Sequence, residues 1–551
     1  MGLTAVFGSG AGTSSYDDFH QTAFILLVGS NAAEAHPIIF HHIMKGVRSG
    51  AELVVIDPRR TLTAQKAHEH VQIAVGSDIA LVNAMAHVII RDQLYHKDFI
   101  AHATVGFEAF AAQVANWTPA RAAAVTGIPA DRIESLAKRY AAAPCAMIAW
   151  TLGITEHHNA VDNVRALINL ALLCGNVGRP GAGLNPLRGQ NNVQGGGDMG
   201  ALPGRLPGFQ DVTDPDVRRK FEQAWGTKIH ATPGFDQTQM FRAMEDGQLK
   251  GLYVIGENPA QSDANSQHVQ HLLQSLDALV VQDIFLTATA ALADVVLPAH
   301  VSFAESEGTY TNSERRVQRV RAARNAPGEA RDDLWITASL ARAMGHPWPI
   351  LDARQLFDEM RHLTVNYRGM TYERLEALHG MQWPVYDETH PGSPVLHDRL
   401  WRPETGPKAP FAVVEWEPPV EHTTLEYPFV LTTGRRLPFF NTGVQSNLYE
   451  HPHNIGEWLE IHPDDAAKLD IADGGLVSVQ SPRGRVELPA HYSLAVTPGT
   501  VFMSFHFPDD VMTNDLTIDA TDPQSGTAEF KAAAVRLAPL KVQEASTRKE
   551  A

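Results

Sequence analysis

The stretch Asn185–Gly200, NPLRGQNNVQGGGDMG, gathers residue types suited to holding a small anion. Arg188 offers a planar fork of donors that can grip a carboxylate or phosphate bidentately. Gln190, Asn191, Asn192 and Gln194 add neutral donors and acceptors, and the interspersed glycines let backbone amides approach a ligand closely. The same composition also describes a flexible polar surface loop. Other chemistry-bearing patterns are thinner. Gly8, Gly10 and Gly12 form a glycine-rich turn, but Thr13 stands where G-x-G-x-x-G needs its last glycine and no clear strand precedes it. That argues against a nicotinamide dinucleotide site. His36, His41, His42, His157 and His158 show no H-E-x-x-H or comparable spacing, so no metal ligand is assigned; His157 and His158 follow a strand end and are placed to face a cavity. Cys145 and Cys174 stand far apart and read as core residues of a reduced, cytoplasmic protein.

The elements that must position the arginine loop read as a doubly wound α/β unit. Residues 22–29 (TAFILLVG) are a short continuous apolar run, as in a parallel strand buried on both faces. After Gly29-Ser30-Asn31, Pro37 opens a helix with Ile39, Ile43 and Val47 on one face, stopped by Gly50. Residues 51–57 form the next strand, ending in Asp57-Pro58-Arg59-Arg60. Helices are expected near 77–89, carrying Leu81, Met85, Val88 and Ile89 inward, and over 131–142. A strand over 145–150 ends at Gly153, and a helix over 159–173 leads through a glycine-rich turn into the arginine loop. After an irregular Pro/Gly-rich connection at 200–235 the pattern returns. Residues 251–256 form a strand ending in Gly256-Glu257-Asn258, an echo of Gly29-Ser30-Asn31, and strands over 278–283 and 293–298 follow. In such sheets ligands bind beyond the carboxyl ends of the strands, where Asn31, Asp57, Asn258 and Asp283 fall. Residues 303–400 lack sheet periodicity but carry helices near 334–344 and 356–363. Short strands at 427–434, 476–479, 485–488 and 500–504, with a helix at 463–469, predict a small β-barrel.

The fold class expected is α/β, two doubly wound parallel-sheet units in tandem with a C-terminal β-barrel cap. The domains expected are 1–190, 191–302, a mainly helical connecting region at 303–420, the barrel at 421–541 and a disordered polar tail at 542–551. A chain of 551 residues is too long for one core. Its net charge of −17, with no basic stripe, argues against nucleic acid and anionic membranes as partners. No apolar run reaches the ~20 residues of a membrane span, and the N-terminus lacks the pattern of a signal peptide.

The arginine loop resembles the active-site loop of molybdenum or tungsten formate dehydrogenases. Residues 305–318, ESEGTYTNSERRVQ, would in isolation be a solvated charged loop. They also match at every lettered position E-x-x-G-T-x-x-N-x-E-x-R-x-Q, a signature of the molybdopterin-guanine-dinucleotide oxidoreductases. Residues 453–458, 463–469, Asp473-Gly474 and 481–484 resemble that superfamily's cap barrel. The likeness runs from Gly2 to about Leu537. It implies a bis(molybdopterin guanine dinucleotide) cofactor with molybdenum or tungsten, its arms held by Gly29, Ser30, Asn31, Asp57, Arg59, Gly76, Asp78, Gly153, Gly256, Glu257, Asn258 and Asp283. Thr433, Gly434, Arg435 and Lys531 would close the cleft. Formate would lie against Arg188, with Gln190 helping to orient it.

The family's catalytic subunits begin with a cysteine-rich segment that binds a [4Fe–4S] cluster, followed by a metal-ligating cysteine or selenocysteine. This sequence starts just after that point and holds neither, which reads as an N-terminally truncated or split catalytic chain. Its expected partners are iron–sulfur or diaphorase subunits and a separate N-terminal fragment, and alone it is expected not to oxidise formate. Alternative readings are a nitrate reductase-like oxygen-atom transfer enzyme, a non-catalytic cofactor- or partner-binding remnant, and a nicotinamide dehydrogenase.

Overall fold

The computed structural model describes residues 1–403, 406–439, 441–443 and 456–540. The tail expected at 542–551, and part of the 453–458 match, lie outside the described residues.

Five parallel strands, β1 (Phe24–Val28), β2 (Glu52–Ile56), β3 (Glu69–Val71), β5 (Ala146–Trp150) and β6 (Gly183–Pro186), form the first sheet in the order β3-β2-β1-β5-β6. Strand order reverses between β1 and β5, the switch point at which such sheets bind ligands. Every residue of β1 is buried, and its alternation divides the core around this sheet in two. Phe24, Leu26 and Val28 join one apolar core with the helices Asp78–Arg91, Ala130–Ala142 and Ala160–Leu173. Ile25 and Leu27 join the other, beneath the helix Pro37–Arg48. A strand covered on both faces needs apolar residues at every position, which is why its sequence shows a run rather than an alternation. The helix Pro37–Arg48 starts with Pro at its first turn and buries Ile39 and Ile43. Its Gly46 lets the short turn Asp17–His20 lie flush against it, since a Cβ there would fall 2.1 Å from the Phe19 carbonyl oxygen.

The second unit is smaller: β9 (Gly251–Ile255), β10 (Ala278–Asp283) and β11 (Val295–Pro298), parallel, in the order β11-β10-β9. The connection read as irregular at 200–235 contains a hairpin, β7 (Arg205–Leu206) with β8 (Gln210–Asp211), and a helix, Pro215–Trp225. Asp214 caps that helix and Pro215 opens it, and its own Phe221 is fully buried.

The charged run at 305–318 is not a solvated loop. It folds into an antiparallel hairpin, β12 (Gly308–Thr311) with β13 (Arg316–Val320), extended by β14 (Met381–Gln382). At its turn Arg315 is wholly buried, because its donors meet the carbonyl oxygens of Gly12, Trp383, Ser393 and Pro394. A guanidinium satisfied in this way can be buried without an ion partner. The region expected as a mainly helical connection at 303–420 also returns to the first unit. β15 (Ala409–Pro410) pairs with β4 (Thr104–Val105), Phe411 stacks on Phe110 at 5.0 Å, and Asn169 exchanges two hydrogen bonds with the Ala412 backbone.

The C-terminal part is a closed barrel of β16 (Phe429–Gly434), β17 (Leu459–Ile461), β18 (Leu476–Gln480), β19 (Arg485–Tyr492), β20 (Thr500–Ser504) and β21 (Ala533–Pro539), in the order β16-β20-β17-β19-β18-β21. The helix Pro463–Lys468 is inserted after β17. Among the described residues, no helix is long and apolar enough to cross a membrane.

Candidate active site

The two parallel sheets end in the same local construction. Gly29 (φ 54°) donates to the Ile56 carbonyl at 2.8 Å, and Gly256 (φ 62°) donates to that of Gln282 at 2.8 Å. Asn31 Oδ1 accepts from Thr63 Oγ1 at 2.9 Å, and Asn258 Oδ1 accepts from Thr289 Oγ1 at 2.8 Å. Each threonine oxygen also accepts a backbone amide, from Ala33 and from Ala260 respectively. Asp57 Oδ1 accepts from Arg59 N as Asp283 Oδ1 accepts from Phe285 N. The echo of Gly29-Ser30-Asn31 in Gly256-Glu257-Asn258 is thus carried through a second layer of threonines, which the sequence reading missed. In the first unit the turns of β1 and β5 meet backbone to backbone. A Cβ on Gly153 would fall 2.6 Å from Gly29 Cα, and Gly153 N donates to Gly29 O.

The barrel faces both turns. Arg59 pairs with Glu460 at 3.0 Å and lies over the Phe502 ring, and Arg435 donates to the Phe439 and Ala35 carbonyls. Lys531 bonds the Thr433 carbonyl at 3.2 Å and pairs with Glu156, near Asp57. At the second unit, Gln261 donates to Asp509, and Asn514 donates to the Gln261 and Ser262 carbonyls. The Asn31 and Asn258 turns therefore share one cap. Gly256 and Glu257 are exposed, Asn258 is buried and Asp283 is half-buried. Gly76 is covered by Trp416, which donates to its carbonyl, and by Pro419. Asp78 is buried, and desolvation pushes its carboxyl up, partly offset by His157. Burial likewise raises Asp57 to about 6, against the pull of the Arg59 amide and guanidinium.

His157 and His158 do face inward. Both hydrogen-bond Glu529, and His157 also bonds the Gly153 carbonyl. Burial alone would push Glu529 up, but these two histidines bring it down to about 2. Glu529 and Glu156 gave no signal in the sequence, because each acquires its role only when the barrel docks. Cys174 is inert, its thiol pushed up to about 12 by burial.

Arg188 follows β6. Its backbone amide donates to Ser313 Oγ at 2.9 Å, its carbonyl accepts from His36 Nε2 at 2.7 Å, and its Nη2 donates to the Gly10 carbonyl at 2.6 Å. Desolvation lowers the guanidinium's pKa, with Asp198 opposing. The fork keeps unspent capacity, since Nε is buried and makes no hydrogen bond. Gln190, by contrast, lies on the exposed lip of the loop. Behind it, the helix Val193–Asp198 carries Asp198 into a closed polar cluster. Asp198 accepts from Gln194 at 2.8 Å, Tyr367 at 2.6 Å and the Trp383 indole at 2.8 Å. Burial still pushes its carboxyl up to about 6. A cavity of about 60 Å³ lies here, lined among others by Gly8, Gly10, Asp198 and Tyr367. The Gly8–Gly12 turn, set aside as a nucleotide loop, is therefore the wall behind the arginine.

A family model described as molybdopterin oxidoreductase matches residues 4–343, and one for a molybdopterin dinucleotide binding domain matches residues 429–534. The F420-dependent formate dehydrogenase subunit alpha of Methanocaldococcus jannaschii is 43% identical over 97% of this chain and 79% of its own length. Formate dehydrogenase H of Escherichia coli is 37% identical over 99% of this chain and 77% of its own. The assimilatory nitrate reductase catalytic subunit of Bacillus subtilis is 34% identical over 97% and 77%. Among solved structures, acetylene hydratase from Pelobacter acetylenicus matches with a TM-score of 0.72 at 21% identity, covering 97% of this chain and 80% of that one, a likeness of fold.

Proposed function

Since the chain belongs to the molybdopterin oxidoreductase family, we propose that its reaction is the oxidation of formate to carbon dioxide. The family's cofactor, a molybdopterin dinucleotide carrying molybdenum or tungsten, fits the residues present. Ser30 Oγ, His36 Nδ1, Asn185 Nδ2 and Arg188 Nε are buried near the β1 and β6 ends without hydrogen-bond partners. Buried polar atoms are normally satisfied, so four orphans along the carboxyl end of this sheet mark where a polar ligand belongs. His36 must donate through Nε2 to the Arg188 carbonyl, and burial keeps the ring neutral, so Nδ1 is a bare acceptor. The two Asn–Thr turns, Asp57, Asp78, Thr433 and Lys531 would hold the dinucleotide arms. When bound, this cofactor would supply the acceptor for the two electrons and for the hydrogen released as the C–H bond of formate breaks.

Half-buried Arg188, its guanidinium desolvated and its Nε unspent, is the observation that carries the reading. A desolvated guanidinium attracts a small carboxylate far more strongly than one in water. Formate carries one negative charge and carbon dioxide none, so oxidation removes the attraction that held the substrate and the product is released. Gln190 would help to orient formate as the anion enters past the exposed lip of the loop. Electrons leave through a redox centre outside these residues, because Cys145 and Cys174 are fewer than the four thiolates an iron–sulfur cluster takes.

The test is a viologen assay on the cofactor-loaded protein in its native complex. Formate should reduce oxidised viologen, and nitrate should not oxidise reduced viologen. Nitrate turnover without formate turnover would replace this reading with oxygen-atom transfer, to which the nitrate reductase relative points.

A further inference from the structure

The turn Asp17–His20 and the helix Pro37–Arg48 bring together three side chains that the proposed chemistry does not use. His20 Nδ1 lies 3.7 Å from Asp17 Oδ1, and His42 Nδ1 lies 3.6 Å from the same oxygen. The three donor atoms all fall within 4.8 Å of one another. A point within about 2–2.5 Å of all three therefore exists, close to the bond lengths zinc makes to imidazole nitrogen and carboxylate oxygen. The clustering is imposed by the fold. Gly46 lets the turn press against the helix, and Phe19, fully buried between them, pins it there. None of this shows as a spacing in the sequence, since His42 comes from a different element.

His42 Nδ1 is buried without a hydrogen-bond partner, so its lone pair is not spent on the protein. Of the charged groups near His42 outside the cluster, Lys45 opposes a cation and Glu314 favours it. Asp17 is largely exposed, giving an ion an entry path and leaving water to complete the coordination.

We propose that Asp17, His20 and His42 form a binding site for a divalent transition-metal ion of the zinc class. Two imidazoles and one carboxylate select such ions over magnesium or calcium, which prefer all-oxygen shells. The two rings are stacked, 4.9 Å apart and within 9° of parallel. Capture therefore requires one ring to turn about its Cβ–Cγ bond so that both lone pairs converge. The site adjoins Tyr16, whose amide donates to Glu314 and whose side chain bonds Ser313, the residue that anchors the Arg188 amide. It stands or falls independently of the identity of the substrate.

Calorimetric titration of the purified holoprotein with zinc chloride tests the proposal, beside the variants His20→Ala, His42→Ala and Asp17→Asn. These side chains are at the surface or half-buried, and circular dichroism verifies that each variant is folded. The expected result is one zinc bound more tightly than the weak background of the other histidines. Each histidine variant should weaken that ion by about tenfold or more, and magnesium should give no heat. Copper(II) at the same site should show hyperfine coupling to two nitrogens in its electron spin resonance spectrum. Identical zinc titrations of the wild type and the His20→Ala/His42→Ala double variant would overturn the assignment.

Discussion

Arg188 works by contrast with what surrounds it. Its charge is desolvated, its backbone is pinned by Ser313 and His36, and one of its donors is already committed to Gly10. Lysine at this position keeps the charge but not the planar fork, so Arg188→Lys should lower kcat/KM for formate by about a hundredfold, read by steady-state kinetics. Wild-type kinetics would remove the arginine from the mechanism. Asp198 sets a pH dependence of a definite sign. Its carboxyl keeps a proton up to about pH 6 in the folded chain, against an ordinary value of 3.8. The folded state thus binds the extra proton between these limits, and the stability this contributes is lost as pH rises through about 6. Asp198→Asn removes that part of the slope, because Gln194 can turn its amide and present its unpartnered Oε1. The difference in Tm between pH 5 and pH 7 should shrink in the variant. Asp57 titrates in the same range and leaves a residual slope. An unchanged difference would show that Asp198 is ionised throughout.

At the scale of elements, the turns after β1 and β5 are the tightest joint in the site. Gly29 and Gly153 approach so closely that a methyl group on either displaces the other's backbone. Gly153→Ala should therefore cost roughly 1–3 kcal/mol of stability. It should also reduce the pterin retained on purification, measured by fluorescence of the oxidised cofactor. Retention at the wild-type level would mean that the cofactor does not reach this turn. The same elements show what a sequence reveals. β1, β2 and β5 were legible because a strand covered on both faces must be apolar throughout, β9 and β10 because short β-branched runs end in turn residues although part of each is exposed, and helix 215–225 should have been, given its Asp-Pro start. The β12–β13 hairpin was not legible as structure, because its buried members include Glu314 and Arg315. Burial of such residues is decided by carbonyl oxygens far away in the chain, and no local periodicity encodes those. The position of Arg188 was legible from residue type and resemblance. The roles of Glu156, His36 and Glu529 were not, since each depends on contacts between separate units.

For the whole molecule, the cap barrel decides whether the two turns face one space. Arg59 links it to the first unit through a largely buried pair with Glu460 and through the Phe502 ring. Removing it in Arg59→Ala should cost about 2 kcal/mol, between the values for exposed and buried pairs, because Arg436 still neutralises Glu460. Limited proteolysis should then release the barrel faster than in the wild type. An unaltered cleavage rate would place the docking energy on the contacts with Asn514 and Asp515 instead. The return of residues 409–414 to the first core has a consequence in time. Phe411 and Val414 complete an apolar core whose other members all precede Asn185, apart from Leu400 and Ala409. At a translation rate of 5–20 residues per second, that core leaves the ribosome roughly 10–40 seconds before its last side chains exist. Over that interval Phe110 and Trp117 lack their aromatic partners Phe411 and Trp416. Expression yield should therefore depend on chaperones that shelter nascent chains, and a fragment ending near residue 190 should aggregate unless a peptide spanning 396–420 is supplied with it.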